Sequence, residues 1–162
     1  MPTTTKKTAE LEIGDNVPAF SLPATKIGKV SSDGLKGKVF VLYFYPKDDT
    51  PGCTTEACGF RDALPDLSKL GVTVIGVSKD SLESHETFAK KYKLPFPLAA
   101  DEDGAVCELF GVWKQKSMYG KTYMGIERST FLIDDKGIIR ALWRKVSVTD
   151  HVDEVKKAIA EL

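Results

Sequence analysis

This 162-residue chain is short of several things, and each shortage closes off a class of function. Charge of one sign is not in excess, because Lys+Arg and Asp+Glu number 23 each. A basic face for nucleic acid or for an anionic membrane surface therefore has no compositional support. Long hydrophobic runs are missing: the longest, residues 39–45, falls far below the roughly 20 residues that cross a bilayer as a helix. The opening Met1-Pro2-Thr3-Thr4-Thr5-Lys6-Lys7-Thr8 lacks the apolar core of a signal peptide. Histidine occurs twice, at His85 and His151, on what read as polar, exposed helix starts. No Cys/His spacing resembles a zinc site, so no metal is expected. No glycine-rich run matches a phosphate or dinucleotide fingerprint, so no nucleotide or flavin cofactor is implied. Three cysteines are few and odd in number, unlike a secreted disulfide framework. A reducing cytoplasm is the natural setting, and an oxidised pair there would be a catalytic event.

What is present points to one domain. Hydrophobic residues make up 42% of the chain, enough at this length for a sizeable core. Residues 1–10, rich in Thr and Lys, read as a flexible N-terminal arm, and residues 11–162 as a single domain without repeats or linkers. A strand is expected around residues 19–22, with a hairpin return at 27–30. Residues 39–45 and 72–78 read as buried strands. A helix from Pro51 carries an apolar stripe through Ala57, Phe60, Ala63, Leu64, Leu67 and Leu70, and Pro65 should kink or divide it. Ser81 should cap a helix to about Tyr92, with Leu82, Phe88, Ala89 and Tyr92 facing inward. Residues 97–100 read as a short strand, 105–110 as a short helix holding Cys107, and 111–125 as a polar and aromatic loop. Two strands, 126–133 and 138–144, are joined by a turn too short to be parallel, and Asp150 should cap a last helix. This order is an α/β sandwich on a mixed sheet.

The chain is organised around Tyr43-Phe44-Tyr45-Pro46-Lys47-Asp48-Asp49-Thr50-Pro51-Gly52-Cys53-Thr54-Thr55-Glu56-Ala57-Cys58. A buried strand breaks at Pro46, crosses a polar loop and restarts as a helix. Thr50 is expected to be the N-cap, its hydroxyl accepting from a first-turn amide. Pro51 then takes the first helical position, where its missing N–H costs nothing. Cys53 becomes the third helical residue, near unpaired amides and the positive end of the helix dipole, where a thiolate is favoured over its thiol. Cys58 follows five residues later, a rise of about 7.5 Å and a rotation of about 140° on a regular helix. Their Cα atoms would lie roughly 8–9 Å apart, beyond the ~7 Å limit for a disulfide. Joining the sulfurs requires the first turns to unwind, which Gly59 eases by roughly 1 kcal/mol relative to Ala.

The string Phe44-Tyr45-Pro46-x3-Thr50-x2-Cys53 matches the P-x3-T-x2-C signature of peroxiredoxins, and its extension TPGCTTEAC resembles the bacterioferritin comigratory protein (Bcp, or peroxiredoxin Q) subfamily. The resemblance covers residue 13 to the C-terminus. It implies a thioredoxin-like fold with an N-terminal hairpin extension. It implies a thiol peroxidase acting on hydrogen peroxide and organic hydroperoxides and recycled by thioredoxin, without a cofactor. By this likeness Cys53 is the peroxidatic cysteine and Cys58 the resolving one. Thr50 holds the thiolate and orients the peroxide, Pro46 shields the sulfur from water, and Arg128 supplies the arginine that the family takes from a later strand. A monomer is expected, with no nucleic acid and no membrane as partner.

Other readings stand beside this one. Cys107, among apolar neighbours, is favoured as a core thiol over an alternative resolving cysteine. Arg128 has Glu127 or Asp134 as ordinary strand partners, and Glu56 should partly oppose a thiolate at Cys53. The Asp48-Asp49 and Asp134-Asp135 pairs read as loop and turn residues, and Lys114, Lys116 and Lys121 as a solvated surface. A protein disulfide oxidoreductase of the same fold would normally show C-x-x-C, whereas this chain has C-x4-C. A non-enzymatic redox sensor remains the second rival.

Overall fold

The computed structural model describes residues 11–162, without the side chain of Met118; the expected N-terminal arm, residues 1–10, lies outside the described residues. A hairpin enters first, β1 (Ser21–Ala24) and β2 (Gly28–Ser31), one or two residues later than the pattern suggested. Its register pairs Leu22 with Val30, which sends both side chains into the core.

Strand β3 (Val39–Phe44) is the spine. Phe40, Leu42 and Phe44 point into one hydrophobic layer, while Val41, Tyr43 and the following Tyr45 point into the other. That alternation explains the continuous apolar run: both faces of the strand are covered. Helix α1 (Pro51–Lys69) then runs 19 residues without interruption, so the expected division at Pro65 does not occur. Proline inside a helix costs about 3 kcal/mol. Burying the Phe60 and Leu67 side chains offsets this at roughly 1.5–3 kcal/mol each.

Strand β4 (Val72–Ser78) leads to α2 (Leu82–Tyr92), where Ser81 Oγ accepts the Ser84 amide at 3.1 Å as expected. After β5 (Leu98–Ala100) and α3 (Ala105–Leu109), the expected loop proves to be a β-hairpin, β6 (Trp113–Met118) and β7 (Lys121–Ile126). It forms a two-stranded sheet of its own, paired from Trp113–Ile126 to Met118–Lys121. The span 126–133 is likewise not one strand: β7 ends at Ile126 and β8 (Ser129–Ile133) begins after a break at Glu127-Arg128. Strand β9 (Ile139–Trp143) and α4 (His151–Ala160) complete the chain. Asp150 does not cap α4 with its side chain, because its backbone is left-handed (φ 60°). The negative charge at this helix start comes from Asp153 and Glu154 instead.

The seven-stranded sheet has the order β2-β1-β5-β4-β3-β8-β9. Strands β3, β4 and β5 are parallel; the remaining pairings are antiparallel, including β8–β9 as the short turn required. Residues of α1, α2 and α4 (Phe60, Leu67, Phe88, Val155, Ile159) fill one layer, and Val106 and Cys107 of α3 join the other. The mixed sheet with helices on both faces and an N-terminal hairpin is the architecture expected from the sequence.

Candidate active site

Tyr45 still belongs to the sheet, donating its amide to Val77 C=O at 3.0 Å; half-buried Pro46 then ends the pairing. Thr50 occupies the N-cap with an extended backbone, but its hydroxyl donates to Lys47 C=O at 2.9 Å and accepts no first-turn amide. The expected side-chain cap is therefore replaced by a bond that closes the 47–50 loop on itself. The first helical bond runs from the Thr54 amide to Thr50 C=O at 2.8 Å. The amides of Gly52 and Cys53 precede it and have no intrahelical acceptor, as the first amides of any helix must. Leaving them uncapped keeps donors available beside the sulfur.

Cys53 is 1% exposed. Arg128 Nη2 donates to its Sγ at 3.3 Å, while Nη1 donates to Glu56 Oε1 at 2.7 Å. One guanidinium thus spans the thiol and the carboxyl, using the fork geometry that lysine lacks. Its approach depends on Gly52, where a Cβ would lie 3.1 Å from Nη2. Arg128 reaches the sulfur because the break between β7 and β8 releases it from strand pairing; the Val146 amide holds its carbonyl at 3.0 Å. Neither Glu127 nor Asp134 is its partner: Asp134 pairs with Arg140 at 3.2 Å.

Burial pushes Glu56 up to about 7, and the charge and hydrogen bond of Arg128 oppose this only in part. Its Oε2 has no hydrogen-bond partner among the described residues. Burial works to lower the Arg128 pKa, but Glu56 and Cys53 outweigh it and hold the guanidinium above its ordinary value. Lys116 is held below the ordinary lysine range, by burial first and by Arg128 second. It borders a cleft of about 520 Å³ lined also by Pro46, Lys114, Tyr123, Arg128 and Val146. The expected lysine surface is thus partly the wall of an opening beside the sulfur. Lys121 is exposed, as is Tyr123, which lines the same cleft.

Cys53, Cys58 and Cys107 are all free thiols. Cys58 is half-buried in the unbroken helix α1. Cys107 is fully buried; burial, then the hydrogen bond and charge of Asp101, push its pKa well above the ordinary thiol range. Both carboxylate oxygens of Asp101 are used on the amides of Val106 and Cys107.

Neither histidine is exposed as the polar helix starts suggest: His85 is 0% and His151 1% exposed. His85 Nδ1 lies 2.7 Å from Asp48 Oδ2, and His151 Nε2 lies 2.8 Å from Thr130 Oγ1. The helical stripes carried the signal. His85 falls between Leu82 and Phe88, and His151 sits four residues before Val155. Asp48 is also no ordinary loop residue, being 7% exposed. Asp48, Asp80 and His85 bring ligand-type atoms within 4.8 Å of one another, the one such group found among the described residues. A cation there would have to displace hydrogens that Tyr45, Ser84 and Ser78 already donate to these carboxylates.

The model of the AhpC/TSA family matches residues 13–142. A Coxiella burnetii chain designated a bcp peroxiredoxin is 57% identical over 145 residues, covering 90% of this chain and 96% of its own length. Peroxiredoxin Bcp of Bacillus subtilis is 49% identical over 152 residues, covering 94% and 97%. Among solved structures, the bacterioferritin comigratory protein of Xanthomonas campestris, studied for alkyl peroxide reduction in trapped intermediate and ligand complexes, superposes with a TM-score of 0.84 at 41% identity. That match covers 91% of this chain and 98% of the other.

Proposed function

The chain belongs to the AhpC/TSA family as a Bcp/PrxQ-type peroxiredoxin, a thiol peroxidase that takes a hydroperoxide and a thioredoxin-type reductant, and we propose that Cys53 is its peroxidatic thiol and Cys58 its resolving one. The observation that carries this reading is the 3.3 Å contact from Arg128 Nη2 to Cys53 Sγ at an uncapped helix start.

The Cys53 thiolate attacks the terminal oxygen of ROOH. The S–O bond forms as the O–O bond breaks; the leaving alkoxide takes a proton and departs as ROH, or as water from hydrogen peroxide, leaving Cys53–SOH. Arg128 and the Gly52 and Cys53 amides balance the charge that moves onto the departing oxygen. The Thr50 proton is spent on Lys47 C=O, so its oxygen serves as an acceptor for the peroxide O–H. Pro46 walls the sulfur off from water. The first turns of α1 then unwind, Cys58 attacks the sulfenic sulfur, hydroxide leaves as water, and a disulfide forms for the reductant to open.

Three free thiols, two of them buried, suit a reducing cytoplasm, where the chain acts as a single domain over residues 11–162 and as a monomer. No helix among the described residues is long and apolar enough to cross a membrane.

Peroxide consumption coupled to thioredoxin and its reductase tests the assignment. Cys53→Ser should abolish it. Cys58→Ser should keep one fast oxidation per chain and lose turnover; full turnover in that variant would remove Cys58 from the scheme.

A further inference from the structure

Just before the helix that carries Cys53, the chain is fastened to its surroundings more heavily than a surface loop requires. Asp48 Oδ1 accepts from Tyr45 OH at 2.6 Å, and Oδ2 accepts from Ser84 Oγ at 2.8 Å and faces His85 Nδ1 at 2.7 Å. The Asp48 amide donates to Asp80 Oδ2 at 2.8 Å, which also accepts from Ser78 Oγ at 2.7 Å. The other nitrogen of His85, Nε2, lies 2.9 Å from the Ala99 carbonyl oxygen. A carbonyl only accepts, so Nε2 carries a hydrogen. The facing pair Nδ1 and Oδ2 then needs a second proton between them. One aspartate side chain thereby ties the active-site loop to the end of β3, to α2 and, through the imidazole, to β5, while its amide reaches the end of β4.

The next residue adds a second peg. Asp49 has a left-handed backbone (φ 57°), which turns its carboxylate away from that of Asp48. It accepts from Lys91 Nζ and Tyr92 OH, both at 2.8 Å, at the far end of α2. Successive carboxylates thus grip the two ends of one helix.

Granting the assignment of Cys53 above, we propose that Asp48 and His85 form a positioning anchor. It seats the 46–50 loop on α2 and so sets the place of Pro46 and Thr50 over the peroxidatic sulfur. Stability alone does not account for the pair, because a buried polar or charged pair gains little over apolar side chains of the same volume. What it provides is one fixed position for the loop. That matters because Thr50 is closed onto Lys47 within the loop and travels with it. The anchor also lies outside the helical turns that must unwind, so the loop keeps its place while Cys58 approaches and α1 has a fixed end from which to reform.

The test compares wild type, Asp48→Ala and Asp48→Asn for two rates of Cys53 modification at one pH: oxidation by hydrogen peroxide and alkylation by iodoacetamide, the latter mapped to Cys53 by mass spectrometry. Alkylation needs the thiolate and access to it, whereas oxidation also needs the loop to hold the peroxide in line with the sulfur. Asp48→Ala should slow oxidation by about 10- to 100-fold and alkylation by less than about twofold, since a small misplacement of reacting groups costs on that order. Asp48→Asn keeps an acceptor for Tyr45 and a donor for an imidazole protonated at Nε2, and should recover oxidation to within about threefold of wild type. Oxidation of Asp48→Ala at the wild-type rate, an equal loss of both rates, or an asparagine variant as slow as the alanine one would each overturn the anchor. If Asp48→Ala does not fold, Tyr45→Phe deletes one donor and should lower the oxidation-to-alkylation ratio in the same direction; an unchanged ratio overturns the anchor there too. Cys53→Ser in parallel keeps the two readings apart. Peroxide consumption by that variant would refute the peroxidatic assignment, while a normal Cys53 with an insensitive Asp48→Ala refutes the anchor alone.

Discussion

Glu56 and Arg128 show how much of the site's chemistry is set by where single charges are buried. The guanidinium is shared between a sulfur and a carboxyl, and the carboxyl holds its proton up to about 7 because burial outweighs that shared charge. The effect on stability has a definite sign. At pH values below the ordinary 4.5, Glu56 is protonated whether folded or unfolded and contributes nothing. Between 4.5 and about 7 the folded protein retains a proton that the unfolded chain releases, so stability falls as pH rises; above that interval the loss is constant. At 1.36 kcal/mol per pH unit this approaches roughly 3 kcal/mol. Glu56→Gln should remove that part of the slope, read by urea denaturation from pH 4.5 to pH 8. A variant with the wild-type slope would show that Glu56 is not the titrating group. The sequence marked Glu56 as an opponent of the thiolate but could not supply the reason it is tolerated. That reason sits 72 residues away, in a side chain that no local pattern brings near. Cys53 was legible because its setting is local: Pro51 at the first helical position and two unbonded amides follow from the order of residues alone. The Thr50 hydroxyl departs from its expected capping role because Lys47 C=O competes for it inside the same short loop.

Among the elements, α1 and α4 set the boundary of what can move. A Cβ at Gly59 would lie 2.9 Å from Val152 Cγ2, so this glycine lets α4 pack closely one residue after Cys58. Gly59→Ala alone should destabilise the protein, since overpacking costs about 1–3 kcal/mol and exceeds the roughly 1 kcal/mol gained in helix propensity. Removing the obstruction in Gly59→Ala/Val152→Ala leaves the stiffer helix. Disulfide formation after a peroxide pulse should then be about fivefold slower than in Val152→Ala, the equivalent of roughly 1 kcal/mol. Equal rates in these two variants would mean that unwinding stops short of residue 59. Helices were readable from one periodic apolar face, and the central strands from short continuous apolar runs that both core layers cover. The β6–β7 hairpin was not, because it pairs only with itself. Lys114 and Lys116 are half-buried beside the cleft while Gln115 and Ser117 are exposed, but the buried side of that alternation is made of lysines, so no apolar period marks the strand. Both histidines misled for the opposite reason: polar residues took positions on apolar stripes, where Asp48 and Thr130 satisfy them.

At the scale of the whole molecule, the three thiols report on different depths of opening. Cys107 is sealed between the sheet and α3, and Asp101 as well as burial disfavours its thiolate. Its alkylation should require global unfolding, so its rate across a urea series should follow the unfolding equilibrium, while Cys53 and Cys58 react in the native state. Native-state alkylation of Cys107 at a rate independent of urea would contradict this. Strand β8 is registered on β3 from Ser129–Phe44 to Ile133–Phe40, and the base of the β6–β7 hairpin is closed by the Glu127 amide on Val112 C=O at 2.7 Å. The guanidinium therefore takes its address from the sheet, and the ribbon in front of it is rooted in the core by Ile126 and Trp113, beyond which its strands pair only with each other. Such a ribbon resembles a visor hinged on the core: changes confined to its tip should alter what reaches the cleft, while the register of β8 on β3 keeps the guanidinium where it is.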